Sequence, residues 1–169
     1  MDLREIQRPL KDRYRAEPEA AKLTLRATGS EAPGGALACS IDIGRAIIEA
    51  EAHAGVGGPG TALCSGDLLL AALAACTQLT TQMVAASMGL AVEVAVTVEG
   101  DLDLRGTLAV HRGAPVGFEA IRCHVQVKGE IAPRDLARLT EAAERYCVVL
   151  STLRQPPPIE VGWAHGPDA

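Results

Sequence analysis

The sequence is nearly without aromatic residues: Trp163, Tyr14, Tyr146 and Phe118 are the whole set. Four rings give no platform on which successive bases could stack, and stacking is what single-stranded nucleic-acid sites are built from. Positive charge is also short. Sixteen basic against 21 acidic residues leave a net charge of −5, so no basic face is available for a phosphate backbone. Both shortages argue against a nucleic-acid partner. An apolar leader is missing too, because Met1 to Arg15 alternates in charge and has no hydrophobic stretch of the kind an export signal needs. The densest apolar run, Leu68 to Cys76, is far shorter than a bilayer crossing requires. The expectation is a cytoplasmic chain with no membrane partner. In that reducing compartment the five cysteines, Cys39, Cys64, Cys76, Cys123 and Cys147, are free thiols rather than structural disulfides, and their odd number agrees.

Other signatures are absent as well. Without a Cys-x-x-Cys spacing there is no thioredoxin-like motif. The four histidines are scattered, and Cys123 and His124 point to opposite faces of a strand, which argues against a metal site. The glycine-rich stretch Gly55 to Gly60 lacks the Gly-Lys-Ser/Thr ending of a phosphate-binding loop and reads as a connection. Neither a cofactor nor a metal is expected.

What is present is aliphatic. Hydrophobic residues make up 48% of 169 positions, enough for one domain with a core of Ala, Val, Leu and Ile. The polar N-terminal segment places Pro9 at the start of a short helix, Pro9 to Arg15. Strands are predicted over Lys22 to Thr28, Ala36 to Ile43 and Ala46 to Ala52, with Gly44-Arg45 as a hairpin turn. A long helix should then open with Ser65 as N-cap and Asp67 against the positive end of the helix dipole, and close at Gly89. It is apolar all round near its start, the mark of a helix buried on every side. Val92, Val94, Val96 and Val98 alternate as one strand, followed by a turn-rich connection from Asp101 to Gly117. Ile121, Cys123, Val125 and Val127 alternate as the next strand. Pro133 opens a second helix whose stripe is Leu136, Leu139, Ala143 and Cys147. Pro156 to Pro158 stop it, and Ile159 to Trp163 reads as an edge strand. The order predicts an α+β fold with mostly antiparallel sheet. A helix apolar on all faces is hard to cover in so small a protomer, so an obligate homodimer is expected.

Cys39 and Cys123 lie on apolar strand faces and read as small core hydrophobes. Cys64 lies in the loop before the long helix. Cys76 and Cys147 each fall on the buried stripe of a helix, 71 residues apart (147 − 76), so only the fold can bring them together. By periodicity alone these two are also core residues.

The residues around them carry more. Ser65-Gly-Asp-Leu-Leu-Leu-Ala-Ala-Leu-Ala-Ala-Cys76-Thr77 resembles the first-cysteine helix of the OsmC/Ohr family, and Ala142-Ala-Glu-Arg-Tyr-Cys147-Val148 resembles its second-cysteine helix. The two motifs stand in the family's order across residues 22–163. The resemblance implies an N-terminal extension over 1–21 and an OsmC-like domain over 22–169. It implies a sheet wrapped around two central helices in an intertwined homodimer. It also implies a thiol peroxidase in which Cys76 reduces a small hydrophobic hydroperoxide and Cys147 resolves it, with a lipoyl-type dithiol as reductant. The sequence departs from the peroxidase branch in two places. Val148 follows the second cysteine where Pro is common, and Gly66 stands where the branch often carries a Glu that pairs with an Arg.

Peroxide reduction needs a thiolate. Burial in an apolar helix raises a thiol's pKa, and Cys76 is too far from its own helix start for that dipole to help. A cation is therefore expected beside it, an Arg from a strand or from the partner chain, with Arg26 and Arg45 as candidates and Leu68, Leu69, Leu73 and Leu79 as an apolar wall. The alternative function is a catalytically weak protein that binds a hydrophobic small molecule at the dimer cleft.

Overall fold

A computed structural model describes residues 3–32 and 37–165. The described elements run α1 (Leu3–Ala16), β1 (Thr28–Glu31), β2 (Ala38–Asp42), β3 (Ile47–Glu51), α2 (Ser65–Met88), β4 (Glu93–Leu102), α3 (Leu104–Thr107), β5 (Phe118–Lys128), α4 (Pro133–Tyr146) and α5 (Val148–Arg154). The fold is mixed α+β, and its strands form two antiparallel sheets, β1-β2-β3 and β4-β5.

The β2–β3 turn falls at Gly44, as the sequence predicts. Gly44 adopts φ 77°, and its N–H donates to the Asp42 carboxylate at 2.7 Å while Ile43 N–H closes onto the Ala46 carbonyl. A left-handed residue is cheap only for glycine. Lys22 to Thr28 does not form the expected strand, because pairing begins only at Thr28, opposite Asp42. Ala36, the first residue of the next expected strand, lies outside the described residues; β2 begins at Ala38.

Helix α2 begins at Ser65, with Cys64 rather than Ser65 as its cap. The Asp67 carboxylate accepts the Cys64 N–H at 2.9 Å, satisfying a donor that would otherwise have no helical partner. That hydrogen bond, then one from the Cys64 side chain, holds the Asp67 carboxyl below its ordinary range despite some burial; His53 adds a smaller charge effect. At the other end Gly89 closes the helix at φ 72°. By length and composition alone the 24-residue α2 could cross a membrane. Here its inner stripe packs onto β4, α4 and α5.

That stripe is Leu73, Thr77, Thr81 and Ala85, at four-residue spacing on one helix face. It meets Leu139, Ala143 and Cys147. Burying a leucine such as Leu73 or Leu139 stabilises the fold by about 2 kcal/mol. The expectation that α2 is buried on every side is not met within one protomer. Leu69, Leu79 and Met83 stay exposed, because β4, β5, α4 and α5 lie against one side only.

In the second sheet Val96 pairs with Val125, Val98 with Cys123 and Gly100 with Ile121. Gly100 is a close-approach position. A Cβ there would come within 2.5 Å of Cε1 of Phe118, the one phenylalanine. A Cβ at Gly66 would meet the same ring at 3.4 Å, an ordinary contact distance.

Two terminal expectations are corrected. Helix α1 starts six residues before Pro9 and carries it inside. This exposed surface helix has solvent to hydrate the carbonyl that the proline leaves without a donor. It is anchored by the Arg4 guanidinium, which donates to the Ser87 carbonyl at the C-terminal end of α2. Ile159 to Trp163 forms no strand, and Ile159, Val161 and Trp163 are exposed with no sheet edge beside them.

Candidate thiol site

Two helix positions distant in sequence make the site. Cys76 sits about three turns into α2. Cys147 was expected on the face of one continuous helix. Instead it is the joint between two: it ends α4 and begins α5, with extended dihedrals of φ −73° and ψ 107°. Its N–H still donates to the Ala143 carbonyl at 3.1 Å, and its carbonyl accepts from Ser151 at 2.9 Å. The N–H groups that follow belong to a new first turn, where amides have no acceptor within their own helix.

Those amides meet Cys76. Burial acts most strongly on its thiol and pushes the pKa up. The Val149 N–H, the Cys147 side chain, the Thr80 hydroxyl and the Val148 N–H all hydrogen-bond to it and together outweigh the burial. The Cys76 pKa is thereby held below that of an ordinary thiol. Hydrogen bonds to the charged form are one of the three ways a protein lowers an acid's pKa. No guanidinium of the same protomer is the agent. Arg26 and Arg45 are exposed on the N-terminal segment and the β2–β3 turn, and neither is among the groups acting on Cys76. Three other arginines are paired elsewhere: Arg105 with Asp103, Arg122 with Asp101 and Arg154 with Glu144.

The structure therefore brings Cys76 and Cys147 into contact. Cys147 is completely buried. The Thr77 hydroxyl lies 3.5 Å from its sulfur, and the same hydroxyl accepts from the Cys123 thiol at 3.9 Å. Cys123 is only partly buried, so it is not the sealed core residue that its strand face implies. Cys39 is on β2 in the other sheet, and Cys64 caps α2. All five are free thiols.

Three open clefts surround the site. One of about 400 Å³ is lined by Thr77, Thr81, Cys123, Val127 and Leu139. Another of about 470 Å³ is lined by Leu73, Thr77, Phe118, Cys123 and Leu150. A third of about 440 Å³ runs between α1 and α2, past Lys11, Thr80, Met83, Val84 and Tyr146. The expected wall of four leucines does not form. Leu73 is buried toward the second cleft while Leu69 and Leu79 face outward. Among the described residues no group of three His, Cys, Asp or Glu side chains is placed to hold a metal ion.

Sequence reasoning missed Thr77, Thr80 and the Val148 and Val149 amides. The helix break has no local signal, since Tyr146-Cys147-Val148 contains neither glycine nor proline. Threonine directly after a cysteine on a buried helix face was the available hint for Thr77.

Residues 58–162 match the family model described as OsmC-like protein. No curated protein matches the chain. Among solved structures it is similar to an OsmC-like protein from Mycoplasma pneumoniae (15% identity, TM-score 0.65, 80% of this chain and 90% of that one). It is also similar to an organic hydroperoxide resistance protein from Elizabethkingia anophelis (20%, 0.58, 80% and 91%). A third is described as an organic hydroperoxide resistance protein OsmC, from Legionella pneumophila (20%, 0.58, 80% and 92%). At these identities the likeness is one of fold.

Proposed function

The chain belongs to the OsmC-like protein family, and from that premise we propose that it is a thiol-dependent peroxidase that reduces organic hydroperoxides through Cys76 and Cys147. The observation that carries this reading is the Cys76 sulfur held between the Cys147 side chain and the first amides of α5. Two of the similar folds are named for organic hydroperoxide resistance, and that name supports the choice of substrate class.

The chemistry follows from the contacts. The Cys76 thiolate attacks the terminal oxygen of a hydroperoxide. A sulfur–oxygen bond forms, the O–O bond breaks, and the alkoxide leaves as an alcohol once protonated. Cys76 is now a sulfenic acid. The Val148 and Val149 amides and the Thr80 hydroxyl stabilise the attacking thiolate without a formal positive charge. Cys147 then attacks the Cys76 sulfur. The disulfide forms, the sulfur–oxygen bond breaks, and water leaves with the Cys147 proton. A dithiol of the lipoyl type returns both cysteines to thiols by two exchanges, which places the cycle in a reducing, cytoplasmic setting.

The exposed flank of α2, with Leu69, Leu79 and Met83, supports a homodimer in which a second copy covers it. A second reading, binding of a hydrophobic small molecule with little turnover, is favoured by the two largely apolar clefts beside Thr77. Titration with cumene hydroperoxide separates the two. The peroxidase loses two free thiols per chain, and Cys76→Ser abolishes the loss. An unchanged thiol count in the wild type favours the binding protein.

A further inference from the structure

The proposed cycle leaves one neighbouring sulfur, that of Cys123, unused and one difficulty open. Cys147 is completely buried, so a dithiol reductant must open the disulfide at its partner sulfur, and Cys76, itself half-buried, lines none of the three clefts. From Cys147 the contacts continue through the Thr77 hydroxyl to Cys123. Cys123 lines two clefts, one of about 400 Å³ and one of about 470 Å³. Three sulfurs thus stand in sequence, Cys76, Cys147 and Cys123, with one hydroxyl between the second and third. The first lies at the α2–α5 contact and the last beside open clefts.

Resting on the peroxidase reading, we propose that Cys123 is a third redox cysteine, which takes the disulfide over from Cys76 and presents it to the reductant in the clefts. The step is an exchange without net oxidation. The Cys123 sulfur attacks the Cys147 sulfur of the Cys76–Cys147 disulfide. The Cys123–Cys147 bond forms and the Cys76–Cys147 bond breaks. Cys76 leaves as a thiolate onto the Val148 and Val149 amides, and a stabilised thiolate is the better leaving group. The proton lost by Cys123 leaves by way of the Thr77 oxygen, which already accepts its hydrogen bond, and ends on Cys76. The two oxidising equivalents come from the hydroperoxide and leave with the dithiol, which opens the Cys123–Cys147 bond from the cleft side. The exchange needs a rotation of the Cys123 side chain, since the Thr77 hydroxyl now separates the two sulfurs.

The test uses the full chain and one equivalent of cumene hydroperoxide. Samples are alkylated at intervals, digested with trypsin without reduction and weighed. Cys123 falls in the peptide 123–128 and Cys147 in 146–154, while Cys76 lies in 46–105 together with Cys64, so the two cross-links differ in mass and fragmentation of 46–105 tells Cys76 from Cys64. The expected course is a Cys76–Cys147 link that declines as a Cys123–Cys147 link grows. In Cys123→Ser and Cys123→Ala the first link forms and persists, and its reduction by dihydrolipoamide slows by about tenfold or more. A Cys76–Cys147 link that is reduced equally fast in the wild type and in both variants, with no Cys123 link at any time, overturns the relay and leaves the peroxidase standing. Absence of both links overturns the relay and the peroxidase together.

Discussion

Cys76 is set apart from the other cysteines by which atoms face it. Burial alone would leave it a protonated, inert thiol. Two backbone amides, a hydroxyl and a second thiol reverse that balance and lower its pKa without an arginine of the same protomer. Replacing Thr80 by valine removes one of these donors and adds no charge. The pH midpoint of Cys76 alkylation by iodoacetamide should lie below that of a free thiol in the wild type and move up in Thr80→Val. A midpoint unmoved by the substitution would remove Thr80 from the site. The two sulfurs themselves were legible in the sequence, through the residues flanking them. The groups that tune them were not. A backbone amide leaves no mark in the choice of side chain, and Val148 and Val149 read as ordinary apolar residues.

Elements were legible where local chemistry decides them. The α2 start, the Gly89 stop, the Gly44 turn and the alternating valines of β4 each follow from residue type and spacing. The joint at Cys147 does not. The apolar stripe runs on from Leu139 and Ala143 through Cys147 to Leu150 as though the helix were continuous, yet α4 ends at Tyr146 and α5 begins at Val148. Two predictions belong at this scale. Asp67→Ala should cost about 1 kcal/mol at neutral pH through the lost cap, seen in a denaturation midpoint. The Asp67 carboxyl is more acidic in the folded state. Its contribution is therefore full above the unfolded pKa and lost as pH falls through the folded one, and the gap between wild type and variant should close in acid. Gly100→Ala should cost about 1–3 kcal/mol, because the new methyl meets the Phe118 ring. An unchanged midpoint would show that the ring moves aside freely.

At the scale of the whole molecule, one protomer buries only one stripe of its longest and most apolar helix. Exposed Leu79 and Met83 lie outside that stripe, and the proposed second copy covers them. Sedimentation at micromolar concentration should give two chains per particle. The double variant Leu79→Glu, Met83→Lys should give one, and a monomeric wild type would refute the pairing. The account as a whole stands on Cys76 and Cys147 forming a disulfide when a hydroperoxide arrives. The intact mass of the chain, taken without reduction after one equivalent of cumene hydroperoxide, reads this directly. A loss of two hydrogen atoms in the wild type, replaced by the gain of one oxygen in Cys147→Ser, is the predicted result. A wild-type mass that stays unchanged, or that gains oxygen without losing hydrogen, contradicts it.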